Sequence, residues 1–296
     1  MSVIAKTLDT IAGRIERLEI LDKIGEPLAA ASEKILGRRG LTDLLSGTPI
    51  GHPAHPLLVA IPIGSWTSAM VFDLVGDRAG ARRLIGLGIL STFPAIITGL
   101  SDWSTTTGAE RRIGQVHAAS NSVALSAYTA SWLARGRGRH TAGIVWSLLG
   151  AGAMTAGGWL GGHLAYALGV GVDTTAFQHA EGDWSRIATD SEVAAGHLGY
   201  AELDGVPLLL TRDSAGAVVV MADRCSHRGG PLHEGVLEDG CVVCPWHDSA
   251  FALDGSVARG PATRPQLAYE VEVRDGEIFV RCADEPRSLR TNPVGA

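Results

Sequence analysis

Four apolar stretches dominate the first half of the chain, at 56–75, 84–101, 113–134 and 141–169. Each is near the ~20 residues that a helix needs to cross a bilayer. Asp73 is the one charge in the first stretch, and the other three contain no Asp, Glu, Lys or Arg. Buried helices of soluble proteins seldom avoid charge over such lengths four times running. The pattern therefore predicts a four-helix transmembrane bundle over residues 51–170. Gly157-x3-Gly161 and Gly158-x3-Gly162 give the fourth helix a smooth strip that another backbone or a flat cofactor can approach.

Ahead of the bundle, Ile11, Ile15, Leu18 and Leu21 recur at helical spacing, as do Leu28, Ala31 and Ile35. Pro27, Gly37 and Gly40 punctuate the segment, so residues 1–50 read as two short amphipathic helices. They are expected to cap the bundle; lying on the membrane surface, packing on a soluble domain and mediating an oligomer are the alternatives. Charges at Asp9, Arg14, Glu16 and Arg17 interrupt any signal-peptide core. After the bundle the period changes. Residues 171–192 are polar and aperiodic and read as a tether that lets a domain reorient. Then Asp204-Gly205, Asp239-Gly240, Asp254-Gly255 and Asp275-Gly276 separate short apolar runs at 206–210, 217–220, 242–243, 268–273 and 278–280. Such dipeptides are hairpin turns, and the alternation in 269–273 is that of a half-exposed strand. A small all-β domain is expected over 193–283, followed by a tail at 284–296. The fold class is α + β in two domains.

Charge divides the same way. Residues 1–171 carry a net +4 and residues 172–296 a net −10. So acidic a C-terminal half excludes nucleic acid as a partner. No phosphate loop or nucleophile elbow is present, which removes nucleotide binders, kinases and serine hydrolases. All four cysteines lie in the acidic half. Cys241 and Cys282 are expected to be small buried side chains, with a disulfide between them as the alternative. Cys225 and Cys244 belong to a different pattern. Cys225-Ser226-His227 is followed after sixteen residues by Cys244-Pro245-Trp246-His247. Two thiolates and two imidazoles on short loops make a transition-metal site. Zinc usually takes Cys-x2-Cys pairs or segregates cysteines from histidines. One of each per loop suits two irons, one held by sulfur and the other by nitrogen.

At these residues the chain resembles the Rieske [2Fe–2S] proteins. The resemblance rests on Cys225-Ser226-His227-Arg228-Gly229-Gly230-Pro231-Leu232 and Cys244-Pro245-Trp246-His247, and covers roughly residues 190–283. It implies that Cys225 and Cys244 bind the inner iron, and His227 and His247 the outer one. Gly260-Pro261-Ala262 is similar to the loop that covers the cluster in that family. Respiratory Rieske subunits carry an extra disulfide-forming cysteine in each loop; Gly230 and Trp246 stand there in this chain. The pattern is therefore closer to Rieske ferredoxins and oxygenase domains. Ser249 matches a serine that hydrogen-bonds a cluster sulfur in the respiratory type. A potential toward the low end of the Rieske range is expected. Gly229, Gly230 and Gly240 are expected to let backbone amides approach the cluster. Rieske oxygenases need a further iron domain, and on the length after the cluster region an oxygenase is the less expected reading.

A second resemblance covers about residues 45–172. Gly51-His52-Pro53-Ala54-His55-Pro56 and Gly161-Gly162-His163-Leu164 are similar to an uncharacterised family of bacterial four-helix membrane domains. An even number of spans returns both chain ends to one side. His52, His55, His117 and His163 then fall in one layer at that side, with Asp102 and Trp103. Histidines at membrane depth are costly and usually functional. One expectation is a haem b or metal site with His117 and His163 as axial ligands and His55 in reserve; the other is hydrogen-bonded interfacial histidines. Loop arginines favour the far side as cytoplasmic, whereas the missing export signal and the cytoplasmic assembly of iron–sulfur clusters favour the cluster side. The cluster is placed in the cytoplasm on a multi-pass cell-membrane protein. The expected function is a membrane-anchored one-electron carrier between a reductase and an acceptor, with membrane lipid and a redox protein as partners. A membrane oxidoreductase with haem or quinone at the histidine layer, and a redox sensor, are the alternatives.

Overall fold

The computed structural model describes residues 2–38, 40–178 and 183–282. It forms two compact units: Met1–Leu41 with Pro53–Val170, and Thr42–His52 with Gly171–Ala296. The expected tail at 284–296 and the middle of the expected tether, 179–182, lie outside the described residues.

The first unit is helical. Helix α1 (Val3–Glu16) starts at Ser2, whose Oγ accepts from the Ala5 amide at 3.2 Å and caps the first turn. Helix α2 (Asp22–Leu36) follows, and α3 (Leu41–Ser46) is a short helix entering the second unit. Four long helices complete the set: α4 (Ala54–Leu74), α5 (Arg78–Ser104), α6 (Gly108–Gly136) and α7 (His140–Tyr166). The described residues thus contain seven α-helices around the expected bundle of four. Among them α4, α5 and α7 are long and apolar enough to cross a membrane. Helix α6 is more polar because it supplies polar side chains to its neighbours. Gln115 Nε2 donates to the Leu21 carbonyl at 3.1 Å, Ser131 Oγ meets Ser147 Oγ at 2.9 Å, and Arg135 grips Asp73 with two bonds of 2.6 Å. That last pair explains the charge near the end of α4: the Arg135 side chain is fully buried. The centre of the bundle is a stack of Trp66 on Tyr128 at 4.1 Å. Gly88 makes room for the indole, since a Cβ there would lie 2.2 Å from Trp66 Nε1.

Helix α1 packs on this bundle. Ala12 and Ile15 join Ile113, Leu160 and Trp159 in one core, and Arg112 binds the Asp22 carboxylate and the Glu16 carbonyl. The N-terminal segment expected over 1–50 is therefore divided: residues 42–52 belong with the β unit.

Among the described residues the second unit contains three antiparallel sheets, ordered β1-β10-β9, β2-β3-β4 and β5-β6-β7-β8. Their strands are β1 (Ser185–Thr189), β2 (Gly199–Leu203), β3 (Val206–Arg212), β4 (Val218–Ala222), β5 (Val236–Glu238), β6 (Cys241–Val243), β7 (Ala250–Ala252), β8 (Val257–Arg259), β9 (Tyr269–Arg274) and β10 (Glu277–Cys282). Asp204-Gly205, Asp239-Gly240 and Asp275-Gly276 have positive φ at both residues and close two-residue hairpins. That is the geometry of a type I′ turn, which suits the strand twist. Gly240 therefore serves the β5–β6 turn, with nothing near its Cβ position, rather than the cluster approach expected of it. Strands β3 and β4 are buried on both faces. Leu208, Leu210, Val220 and Ala222 face one core, whereas Leu209 and Met221 face another that contains Cys225 and Cys244.

The tether expected over 171–192 is shorter than its composition suggested. Residues 185–189 are β1, hydrogen-bonded to β10, and residues 173–175 fold onto the loop of Cys225. Cys241 and Cys282, expected to be buried, are half-buried and free, and no disulfide joins them.

Candidate metal centre

Two loops with the same backbone course carry the four motif residues. The first joins β4 to Leu232; the second joins β6 to β7. In the first, the Cys225 amide donates to the Gly230 carbonyl at 2.9 Å, and the Gly229 amide donates back to Cys225 at 2.8 Å. In the second, the Cys244 amide donates to Ser249 at 2.8 Å, and Asp248 donates back to Cys244 at 3.2 Å. The fourth residue after each cysteine has positive φ, +76° at Gly229 and +59° at Asp248. This repeated turn directs amides at sulfur: those of His227 and Arg228 at Cys225 Sγ, and those of Trp246 and His247 at Cys244 Sγ. Amide donors stabilise a charged sulfur.

The sulfurs meet each other, and the imidazoles meet each other. The Cys225 thiol hydrogen-bonds Cys244, which brings Cys244 down to about 7 and, together with burial, pushes Cys225 up. Two adjacent thiolates repel, so one proton stays between them until a cation replaces it. The rings of His227 and His247 have centres 5.1 Å apart and planes at 89°. Burial, then repulsion from His247, lowers His227 to about 3, so its ring is neutral and its lone pair available. Its Nδ1 is buried with no hydrogen-bond partner. A buried orphan nitrogen beside a second imidazole is what a bound metal would satisfy. Among the described residues, no three His, Cys, Asp or Glu side chains surround a single point. A lone tetrahedral zinc requires that convergence. A sulfur pair and a separate imidazole pair instead suit two irons, so the donor set fits a [2Fe–2S] cluster.

The surrounding contacts hold the loops in register. Ser226 Oγ donates to the Arg264 carbonyl at 2.7 Å, and Gln266 Nε2 to the Arg224 carbonyl at 3.0 Å. Buried Asp223 accepts from the His233 amide at 2.7 Å and contacts His233 Nδ1 at 2.8 Å. Ser249 Oγ accepts from the Ala262 amide at 3.0 Å. That bond uses an oxygen lone pair and leaves the hydroxyl its proton to donate. Gly230 is required by space: a Cβ would lie 2.9 Å from Cys244 Sγ and 3.0 Å from the Trp246 ring. The positions that would carry the extra cysteines are thus a glycine packed under a tryptophan.

Three contacts come from outside the motif. Thr174 Oγ1 donates to the Cys225 carbonyl at 2.8 Å. Asp43 Oδ1 accepts from the buried Gly260 amide at 2.6 Å, and Thr48 Oγ1 donates to the Ala262 carbonyl at 3.0 Å. No local signal marked these three residues, because each acts across 51 to 217 positions of sequence.

Family comparisons agree with this geometry. Residues 183–279 match the Rieske [2Fe-2S] domain, and residues 51–174 match the predicted membrane proteins of DUF2231. A ferredoxin subunit of 3-phenylpropionate/cinnamic acid dioxygenase from Photorhabdus laumondii is 40% identical over 72 residues, 24% of this chain and 69% of that one. The Escherichia coli K12 subunit of the same name is 38% identical over 80 residues, 26% of this chain and 76% of that one. The chain belongs to the Rieske [2Fe–2S] family. An iron–sulfur subunit of a toluene-4-sulfonate monooxygenase system from Comamonas testosteroni is 40% identical over 36% of this chain, which spans only 32% of that subunit. The ferredoxin of carbazole 1,9a-dioxygenase from Nocardioides aromaticivorans is 28% identical over 34% of this chain and all of its own, with TM-score 0.33. The Rieske domain and its cluster are therefore joined to a helical domain of the predicted membrane type.

The membrane-side histidines are distributed unevenly. His55 and His117 lie together, with ring centres 6.4 Å apart. His163, paired with His117 in the sequence reading, instead bonds Glu16 Oε1 at 2.9 Å and stacks on Trp159. His52 is exposed and belongs to the segment of the β unit.

Proposed function

We propose that this protein is a membrane-anchored one-electron carrier. Cys225 and Cys244 hold the inner iron of its cluster, and His227 and His247 the outer iron. The observation that carries this is the division of four donors into a buried sulfur pair and a half-buried imidazole pair. The protein side of electron transfer follows from that division. Amides and burial stabilise the sulfur end, and the imidazoles form the edge where a partner's redox group can approach. The homologous ferredoxin subunits carry electrons within dioxygenase systems, and a soluble or membrane reductase and an acceptor protein are the matching partners here. The apolar outward faces of α4, α5 and α7 support insertion in the cell membrane as a multi-pass protein. The cluster is assigned to the cytoplasm, where iron–sulfur clusters are assembled.

The test is purification of the full chain in detergent, then reduction with dithionite. A Rieske-type EPR signal that a ferredoxin reductase can also generate supports the proposal. A colourless, zinc-loaded protein, or one that needs neither lipid nor detergent, overturns it. A reporter fused after Ala296 that is active only outside the cytoplasm overturns the orientation.

A further inference from the structure

His55 on α4 and His117 on α6 share one arrangement. His55 Nδ1 lies 2.8 Å from the Ala95 carbonyl on α5, and His117 Nδ1 lies 2.8 Å from the Gly157 carbonyl on α7. A carbonyl can only accept, so each Nδ1 carries a proton and is committed to its carbonyl. Nε2, directed away from that carbonyl, is the atom each ring can offer to a metal when the imidazole is neutral. This is how proteins fix an imidazole as a metal ligand. Asn121 Nδ2 lies 3.5 Å from His117 Nδ1 and 3.2 Å from Nε2. Near-equal distances place that amide over the ring face, not in line with the Nε2 lone pair.

The spacing specifies the kind of metal site. With a metal–nitrogen bond of about 2.0–2.1 Å and a ring centre about 1.2 Å further on, two imidazoles on one metal are about 5.2 Å apart at a tetrahedral angle and about 6.4 Å apart when trans. The cluster pair, His227 and His247, measures 5.1 Å, the tetrahedral value. His55 and His117 measure 6.4 Å, the trans value, with planes at 77°. A trans pair at this separation would leave the plane between its rings to a flat ligand. The nearby helix surfaces are reduced to backbone: a Cβ at Gly99 would lie 2.6 Å from His55 Cε1, and one at Gly161 would lie 3.1 Å from His117 Cε1.

We infer that His55 and His117 are the axial ligands of a haem iron held in the helical unit. The iron–tetrapyrrole is the class of cofactor that takes two trans neutral imidazoles. His163 is not a ligand; its Nε2 is committed to Glu16. This site goes beyond the electron-carrier proposal and does not depend on it. It would give the chain a second one-electron centre.

The experiment uses the full chain, expressed with a haem precursor and purified in detergent. Absorption and pyridine haemochrome measure haem, metal analysis measures iron and copper, and EPR measures the cluster. The expected result is a Soret band, with haem and cluster in equal amounts. His55→Ala and His117→Ala should each lose the Soret band while keeping the cluster signal, and His163→Ala should keep both. His117→Gly should regain the band when free imidazole is added, which a mere folding defect would not allow. A full chain with its cluster but no haem, even after haemin titration, overturns the inference. Haem that survives both His55→Ala and His117→Ala overturns it, as does copper in place of haem. In each of these cases the cluster EPR reports separately on the carrier proposal.

Discussion

Strand β3 hides Leu208, Leu209 and Leu210 on both faces, whereas α4 and α5 turn Leu57, Ile61, Val71, Leu90 and Phe93 outward. The polar groups are arranged the opposite way. In the helical unit they are paired inside, as in Arg135 with Asp73. In the β unit the ligand residues are carried on loops, where backbone amides face sulfur and Trp246 is exposed. A chain surrounded by hydrocarbon must satisfy polar groups internally, and a chain in water must bury its apolar ones. The two units differ in the way the proposed membrane and aqueous surroundings would require. Each can therefore be damaged without the other.

The largest effect is confined to the β unit. Cys225→Ser or Cys244→Ser should abolish the cluster, read as loss of visible absorption and EPR signal. Helical content in detergent should stay near the parent value. Loss of the helical fold along with the cluster would break the comparison. The reciprocal change is Arg135→Ala. It leaves the Asp73 carboxylate, 11% exposed, without its guanidinium. Removing one partner of a buried pair costs about 3–5 kcal/mol. Thermal unfolding in detergent should register that loss, while the EPR spectrum should not change. Asp73→Asn added to Arg135→Gln should recover much of it. Gly230→Ala acts at closer range. The new methyl must push on Cys244 Sγ or Trp246, a strain of about 1–3 kcal/mol. Cluster release into a chelator should accelerate, and an unchanged rate would show that the Trp246 ring can move aside.

The histidine pairs sharpen the contrast through pH. The added positive charge of an oxidised cluster favours deprotonated His227 and His247, so their pKa values are lower in the oxidised than in the reduced state. Below both values protonation does not change on reduction, and the potential is level. Above the oxidised-state value reduction takes up a proton, and the potential falls by about 59 mV per pH unit for one proton per electron. Protein-film voltammetry across neutral to alkaline pH measures this, and a flat curve would contradict it. The protons on His55 and His117 are held by carbonyls inside the bundle, so no such slope is expected from them.

What the sequence made legible follows from range. Cys225, His227, Cys244 and His247 were visible because each loop contributes a thiolate and an imidazole within three positions. The Asp-Gly hairpins were visible because only certain residues tolerate two successive positive φ values. Strands β1 and β2 were not. They are short and half-exposed, with few apolar positions to set a period. The membrane histidines were visible as a layer but not as a pair. Hydropathy fixes depth along a helix; it does not say which helix stands opposite. Asp73 was conspicuous, yet its partner lies 62 positions away.

The smallest predicted effect tests the least legible contact, between residues 42–52 and the loop after β8. Gly260, Pro261 and Ala262 are all buried, so the Gly260 amide has no water to turn to if Asp43 is removed. A buried donor left without its acceptor costs about 1–3 kcal/mol. Asp43→Ala should therefore loosen this loop and speed cluster loss severalfold, whereas Asp43→Asn keeps an acceptor oxygen and should behave almost as the parent. Thr48→Val removes the donor to the Ala262 carbonyl but preserves shape. Its effect should be smaller, about 1 kcal/mol, because a carbonyl tolerates a missing partner better than an amide. Ala262 also donates its amide to Ser249 Oγ, so movement here should reach the loop of Cys244, whose amide donates to the Ser249 carbonyl. A shift in midpoint potential in Asp43→Ala that Asp43→Asn does not share would show that this upstream segment tunes the centre. Equal potentials and equal cluster lifetimes in all three variants would show that it only packs there.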